Sequence, residues 1–288
     1  MGSLSTKKRM SCLLTGASGN LGQAIQRTGA FDVTCVTRDT WPEIRRTPSA
    51  HYDLVIHAAG ALRAPPGRNP IAFVDSNVRA LAEVLEWVSP LCKPRVFFVS
   101  SGAVYGDSVS TSESSPTNPV SINGISKLLS EKLLQAYCDE HGIDFVSFRM
   151  FNLFGGNDLF SVLYHLQEAL LSGRAFILNN QGRAHRDFVH VDDAAFVLAQ
   201  LATIDNLPRY INVGTGVTTR ISDVVDTFAR YFPALKIEHR NCPEAEYSRA
   251  DISLLRQYLK YSFLSVLEQI PILAQNAKAT VASPERSE

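Results

Sequence analysis

Residues 11–22 read SCLLTGASGNLG, and this stretch decides how the rest of the chain is read. The apolar run Cys12, Leu13, Leu14 ends at Thr15. Three glycines follow at three-residue spacing, Gly16, Gly19 and Gly22, and a helical pattern begins near Leu21. A strand, a glycine turn and a helix in that order form the first unit of a dinucleotide-binding fold. Gly16 permits the tight turn off the strand. Gly19 has no Cβ to hold a pyrophosphate away from the backbone, and Gly22 lets the helix lie close to the sheet. The helix N-terminus then offers free N–H groups and a partial positive charge to phosphate oxygens.

Working outward, a second strand at Val33–Val36 ends in Thr37-Arg38-Asp39. A carboxylate at this point holds the ribose 2′-hydroxyl of NAD, whereas an arginine accommodates the extra phosphate of NADP. Arg38 comes before Asp39, so NADP(H) is expected over NAD(H); the plainer alternative is a solvated Arg–Asp pair at a strand end. The segment 41–52 contains two prolines and is expected as a loop with a brief helix. DLVIHAAG at 53–60 reads as a buried parallel strand entering a turn of small residues, and Pro65, Pro66 and Pro70 mark a loop. Helical periodicity follows at 73–88, a strand at Arg95–Ser101, a helix at 126–141 and a strand at 143–149. This alternation predicts an α/β fold, a doubly wound parallel sheet of Rossmann type with helices on both faces.

Beyond Phe151 the regularity weakens. Helices are expected at 160–172, 192–202, 221–231 and 251–259, and strands at 175–178, 188–190, 210–213 and 236–239. The expected organisation is a loose tail at 1–10, a dinucleotide-binding domain at 11–155, and a smaller mixed α/β substrate lobe at 156–275 with some elements returning to the first domain. A polar, disordered tail is expected at 276–288.

The chain of 288 residues is 45% hydrophobic and carries 28 basic and 28 acidic residues. This balance gives no footprint for nucleic acid or a membrane surface. Five scattered cysteines without a C-x-x-C pair argue against a zinc site or a disulfide framework, and for free thiols in a reducing cytoplasm. The polar start and its strand-length apolar run resemble neither a signal peptide nor an anchor.

The motifs, taken in order, resemble one known family: the extended short-chain dehydrogenase/reductases of the nucleotide-sugar epimerase/dehydratase group. The residues carrying the resemblance are TGASGNLG at 15–22, DLVIHAAG at 53–60, Asn77, VSSGAVYG at 99–106, NGISK at 123–127, FRMFNLFGG at 148–156, HRDFVHVDDAA at 185–195 and INVGTG at 211–216. The resemblance implies a nicotinamide cofactor held by Gly16, Ser18, Gly19, Asn20, Leu21, Gly22, Arg38, Ala58, Ala59, Gly60, Asn77 and Lys127. It implies a nucleoside-diphosphate sugar held by Ser101, Asn152, Arg186 and Arg249, and a homodimer formed through the outer faces of the helices at 73–88 and 126–141. Ser101 matches the residue that hydrogen-bonds the reacting sugar hydroxyl, and Lys127 the lysine that holds the nicotinamide ribose.

One position departs from the pattern. The tyrosine expected four residues before Lys127 is Asn123. A phenol beside an ammonium can pass a proton as hydride moves, whereas a carboxamide has none to exchange at accessible pH. A slowed or rewired enzyme, a binding protein descended from an enzyme, and an engineered substitution all remain open. Tyr105 is expected to be a packing residue. The acid–base pair that dehydratases carry after the serine is Gly102-Ala103 here, and the histidine of combined epimerase/reductases is Asn157. Redox at the sugar 4-position therefore remains, by a 4-epimerase or a 4-ketoreductase; the alternative is a nucleotide-binding or scaffold protein. His185, His190, Asp192 and Asp193 resemble a metal cluster only on paper, and Asp192 is expected to cap the following helix. A hydrolase reading of Ser101 lacks the G-x-S-x-G elbow.

Overall fold

The computed structural model describes residues 9–46, 51–62, 70–88 and 93–282, the last seven by backbone alone. The expectations at residues 1–8, Pro48, Pro65, Pro66, Cys92 and 283–288 lie outside the described residues.

The chain opens with β1 (Met10–Thr15), α1 (Asn20–Arg27) and β2 (Phe31–Val36), and a single-turn α2 (Trp41–Ile44) precedes β3 (Leu54–His57). A continuous helical run follows, made of α3 (Pro70–Phe73), a π-helical stretch Val74–Arg79 and α4 (Ala80–Trp87). Then come β4 (Arg95–Ser101), a 3₁₀ turn Gly102–Tyr105, β5 (Ser108–Thr111), α5 (Ile122–His141) and β6 (Phe145–Met150). β1, β2, β3, β4 and β6 pair in parallel, and the all-buried runs Leu54–His57 and Phe145–Met150 mark strands covered on both faces.

The second half holds β7 (Asn152–Phe154), α6 (Val162–Ser172), β8 (Ala175–Asn179), β9 (His185–His190), α7 (Val191–Leu201) and β10 (Tyr210–Val213). β11 (Thr218–Arg220), α8 (Ile221–Tyr231), β12 (Lys236–Arg240), β13 (Tyr247–Ala250), α9 (Leu255–Tyr258) and α10 (Val266–Ala282) complete it. β10 returns to the first sheet, whose order is β10-β6-β4-β3-β1-β2. The strand direction of growth reverses between β1 and β3, and an open parallel sheet binds ligands at such a switch point, outside the carboxyl ends of its strands. Between β2 and β3 the described helix is the single-turn α2, and β3 pairs directly beside β1.

Two cores sandwich this sheet. One face, covered by α1 and α7, buries Leu14, Ile25, Ile56, Phe97, Phe148 and Leu198. The other, covered by α4 and α5, buries Leu13, Val55, Phe98, Leu85, Leu134 and Phe145. Each such side chain contributes about 1.5–3 kcal/mol by leaving water. A third core, around Phe154, Leu166, Phe188, Val224 and Phe228, supports the second lobe. There β5, β13, β9 and β11 form a mixed sheet, β7 joins β9, and β8 pairs with β12.

Three expectations are corrected. Helix α5 begins at Ile122, not at 126, because the Ser121 hydroxyl accepts from the Gly124 N–H at 3.1 Å and caps it. The polar tail from 276 is helical as far as Ala282, as a continuation of α10. Asp192 does not cap α7: His190 is the cap, with Nδ1 accepting from the Asp192 N–H, while the Asp192 carboxylate pairs with Arg27 of α1 at 2.6 Å.

Candidate active site

The glycine loop is built as its spacing demands. Gly16 has φ +70°, and a Cβ there would lie 2.6–2.7 Å from the backbone of Ala58 and Ala59. A Cβ on Gly22 would sit 2.2 Å from the Gly16 carbonyl oxygen. These two glycines let α1, the β1 turn and the β3 turn close on one another. Gly19 differs. It is exposed, and a Cβ there would meet only the Gly16 oxygen, at 3.1 Å. Gly19 is also the N-cap of α1, and no side chain caps that helix. Its first-turn N–H groups therefore face the crevice at the switch point. These residues fit a dinucleotide pyrophosphate.

Asn20 has a second task. Its Nδ2 donates to the Gly155 carbonyl at 2.9 Å, its Oδ1 accepts from the Asn157 N–H at 2.8 Å, and Asn157 Nδ2 donates to Gln23 Oε1 at 2.6 Å. The loop after β7 is thereby clasped to the glycine loop, and Asn157 is a tether. Ala58 and Ala59 are half-buried and Gly60 exposed along the β3 turn. Gly60 lies against two deeper groups, for a Cβ there would be 2.7 Å from Asn77 Oδ1 and 3.0 Å from Lys127 Nζ. Asn77, fully buried in the π-helical stretch, accepts from the Ala61 N–H at 2.8 Å and donates to Ser126 Oγ at 2.8 Å. It holds the β3 turn onto α5. Arg38 and Asp39 are exposed at the end of β2.

Ser101 ends β4, and its Oγ accepts from the Ala103 N–H at 3.1 Å. One lone pair and the hydroxyl proton remain for a ligand. Lys127 is 4% exposed and donates from Nζ to the Val99 carbonyl at 2.8 Å, two residues before Ser101. Burial pushes its ammonium down to about 8, against the raising effect of Glu131. One helical turn earlier, Asn123 Oδ1 is buried with no hydrogen-bond partner among the described residues. A carbonyl oxygen in that state is an acceptor awaiting a donor.

Tyr105 is a structural residue. Its hydroxyl donates to Asn212 Oδ1 at 2.7 Å and accepts from Arg149 Nη1 at 2.9 Å, and burial pushes its pKa up. Gly102 is closely packed, and a Cβ there would approach the Phe151 ring to 3.0–3.1 Å. In the second lobe a cavity of about 530 Å³ is lined by Phe160, His165, Phe176, Arg186, Phe188 and Glu244, among others. Arg186 donates to the carbonyls of His185, Ala245 and Glu246, and burial pushes its pKa down. Asn152 donates to the Asp187 carbonyl at 2.9 Å. Arg249 is exposed, donates to the Gly216 carbonyl at 2.9 Å and stands apart from the cavity wall. Among the described residues no group of three or more His, Cys, Asp or Glu could hold a metal ion. Asp187 instead secures the 215–216 loop and the Ala250 N–H, and Asp193 secures Tyr261 and Leu264.

Sequence reasoning passed over Thr15 and His57. Thr15 Oγ1 meets His57 Nδ1 at 2.9 Å in the buried layer beside Lys127. The available signal was a histidine inside an otherwise apolar buried strand. The β8 wall of the cavity was also missed, because Ala175–Asn179 carries no ionisable residue.

Residues 12–214 match the NAD dependent epimerase/dehydratase family, well over half of the chain. The chain is 29% identical over 210 residues to a UDP-glucose 4-epimerase of Mycoplasma genitalium, covering 62% of this chain and 61% of that protein. It thus spans about three-fifths of the length of the curated relatives it matches. Among solved structures it resembles MoeE5 in complex with UDP-glucuronic acid and NAD, with TM-score 0.82, 21% identity, and coverage of 94% of this chain and 99% of that one. It also resembles RMD from Pseudomonas aeruginosa complexed with NADPH, with TM-score 0.80, 18% identity and coverage of 94% and 99%. At these identities the likeness establishes the fold. The chain belongs to the NAD dependent epimerase/dehydratase family.

Proposed function

We propose that this family member performs redox chemistry at position 4 of a nucleoside-diphosphate hexose, as a 4-epimerase or a 4-ketoreductase. The observation that carries the reading is the meeting of Lys127 with the β3 turn at the sheet's switch point. Its Nζ lies beneath Gly60 and bonds to Val99, beside Ser101. The nicotinamide cofactor, when bound, supplies or accepts the hydride. The α1 N-terminus with Gly16, Ser18, Gly19, Asn20, Leu21 and Gly22 receives its pyrophosphate, and Lys127 its ribose. Ala58, Ala59 and Gly60 floor the crevice, with Asn77 fixing that floor to α5. Ser101 hydrogen-bonds the reacting sugar oxygen through its free hydroxyl. Arg186 lines the second-lobe cavity and is the candidate nucleoside-diphosphate contact there; Asn152, bonded to the Asp187 carbonyl, and Arg249, held to Gly216 through Nε, are the further candidates.

Dehydration is disfavoured because Gly102 and Ala103 carry no acid or base. Combined epimerisation at neighbouring carbons is disfavoured because Asn157 is a tether. The cofactor preference is assigned to NADP(H), on the exposed Arg38 guanidinium at the end of β2. A homodimer is supported by exposed Ile122, Ile125 and Leu129 at helical spacing on α5, beside exposed Ile71 and Val74. A cytoplasmic setting is supported by the buried free thiols of Cys12 and Cys138, whose pKa values burial pushes up to about 12. No described helix is long and apolar enough to cross a membrane.

The second reading, a nucleotide-binding protein without turnover, rests on Asn123. Thermal shift with NADH, NADPH and a panel of nucleoside-diphosphate hexoses, followed by turnover assays, tests both. Cofactor and sugar together should raise the melting temperature and give turnover that Lys127→Met removes. Saturating ligands that leave the melting temperature unmoved would overturn both.

A further inference from the structure

Behind Lys127 lies a small buried polar group that no step so far employs. His57 ends β3 and is 1% exposed; its Nδ1 is bonded to Thr15, but its Nε2 is buried with no hydrogen-bond partner among the described residues. Ser100, 3% exposed on the neighbouring strand, has an Oγ in the same condition. In the β3–β4 register His57 pairs with Phe98. Side chains alternate along a strand, so Phe98 and Ser100 share a face and Ser100 stands diagonally from His57. That face is the one covered by α4 and α5, for Phe98 packs in the core with Leu85 and Leu134. The Phe98 ring joins the pieces: the His57 ring stacks on it at 5.9 Å, and Lys127 Nζ stands 5.0 Å from its centroid. Two orphaned polar atoms and one ammonium thus converge on one buried layer.

A buried polar atom without a partner is destabilising, and such sites are satisfied by internal water bound to several polar partners. We propose that His57 Nε2 and Ser100 Oγ hold a buried water molecule against Lys127, and that this arrangement positions Lys127 as the proton carrier that the carboxamide at 123 cannot be. In the reducing direction a bound reduced nicotinamide would supply the hydride to carbon 4 of the keto sugar, and the Lys127 ammonium would give one proton to the carbonyl oxygen, which becomes the hydroxyl. The resulting amine recovers one proton from solvent when the product leaves the crevice, and no other bond to Lys127 changes. His57 stays a neutral imidazole throughout, since burial, reinforced by Lys127, pushes its pKa down to about 3. A neutral Nε2 is then the acceptor that anchors the water, and the water accepts from the ammonium. The titratable groups facing Lys127 are the neutral His57 from β3 and Glu131 from α5, the latter bound to Arg149 of β6. Asn77, from the π-helical stretch, does not titrate.

This inference rests on the redox reading above, and its test is independent of substrate and cofactor. The chain has eight lysines, so NMR with lysine labelled at Cε by carbon-13 gives few signals; Lys127 is the one missing from Lys127→Arg. In the unaltered protein its titration should fall near 8. His57→Phe removes the acceptor behind the water, and the midpoint should drop by about one pH unit, the scale of one hydrogen bond to a charge. Ser100→Ala, a smaller change that preserves packing, should move it the same way by less. His57→Gln, which restores an acceptor, should recover part of the shift. A merely structural role for His57 would lower the melting temperature and leave the midpoint where it was. An unmoved Lys127 midpoint in both His57→Phe and Ser100→Ala overturns the proposal, as does a crystal structure with no ordered water between His57 and Ser100. If the midpoint moves while no nucleotide sugar is turned over, the redox reading fails and the water site stands.

Discussion

Two buried polar clusters lie under the same helix, α5, and they differ in completeness. Around Arg149 every strong group is answered. Nε and Nη2 meet the Glu131 carboxylate at 3.0 and 2.8 Å, Ser147 adds a bond to Glu131, Nη1 meets Tyr105, and Tyr105 meets Asn212. Asn212 in turn ties β5 and the stretch after β13 to the sheet through the carbonyls of Thr111 and Asp251. One turn away, Lys127 has the Val99 carbonyl, while Asn123 Oδ1, His57 Nε2 and Ser100 Oγ have no protein partner among the described residues. A closed network leaves nothing for a ligand to bind and serves to join the lobes. An open one holds unspent hydrogen-bonding capacity at the switch point, where the sheet offers a crevice.

The comparison can be broken most forcefully from the open side. Lys127→Met should reduce turnover of the preferred nucleotide sugar by about 10²–10⁴. It should leave the melting temperature equal or higher, because a buried ammonium is removed from a site that disfavours its charge. Steady-state kinetics beside calorimetry would check both halves; a Lys127→Met protein that unfolds would put Lys127 with the structural groups. From the closed side, Arg149→Met should cost about 3–5 kcal/mol of stability, since Glu131 stays buried without its partner. Urea unfolding reads this, and a loss below about 1 kcal/mol would show that the network is not needed for the fold.

His57 sharpens the contrast through pH. Its folded pKa is held near 3 and its unfolded value is about 6.5. The unfolded chain therefore binds the extra proton between these values. Stability from this group is complete above about 6.5 and falls at about 1.4 kcal/mol per pH unit as the pH drops toward 3. Urea titrations of the unaltered protein and His57→Gln, compared across that window, should show the variant with the shallower decline. The smallest expected effect is at the rim: Arg38→Ala should weaken NADPH by about tenfold, the scale of one exposed-to-partly-buried phosphate contact, and NADH hardly at all. Equal losses for both would remove the basis for the NADP preference.

The sheet was legible because its strands are buried runs joined by helices of clear period. The expected bounds of β4, β10 and α8 are those observed. The small strands β5, β7, β11 and β13 were not legible. Each spans three or four residues, too few for a period, and each pairs with a strand distant in sequence. Of the site, the glycine loop and Lys127 could be read because their roles are local: a turn, a helix start, one helical turn of spacing. The tether through Asn20 and Asn157 and the meeting of His57, Ser100 and Lys127 depend on tertiary approach, which no window of sequence contains. The cap on α5 could have been read from Ser121, and it places Asn123 in the first turn of the helix that carries Lys127.

The most direct test compares the unaltered protein with Asn123→Tyr and Lys127→Met. Each would be given NADH or NADPH and UDP-, GDP-, CDP- and dTDP-hexoses with their 4-keto forms, following cofactor oxidation and epimer formation together. The account predicts turnover by the unaltered protein on at least one sugar, its loss in Lys127→Met, and a gain in Asn123→Tyr as a second proton path is added. Inertness of both the unaltered protein and Asn123→Tyr across the whole panel would contradict it.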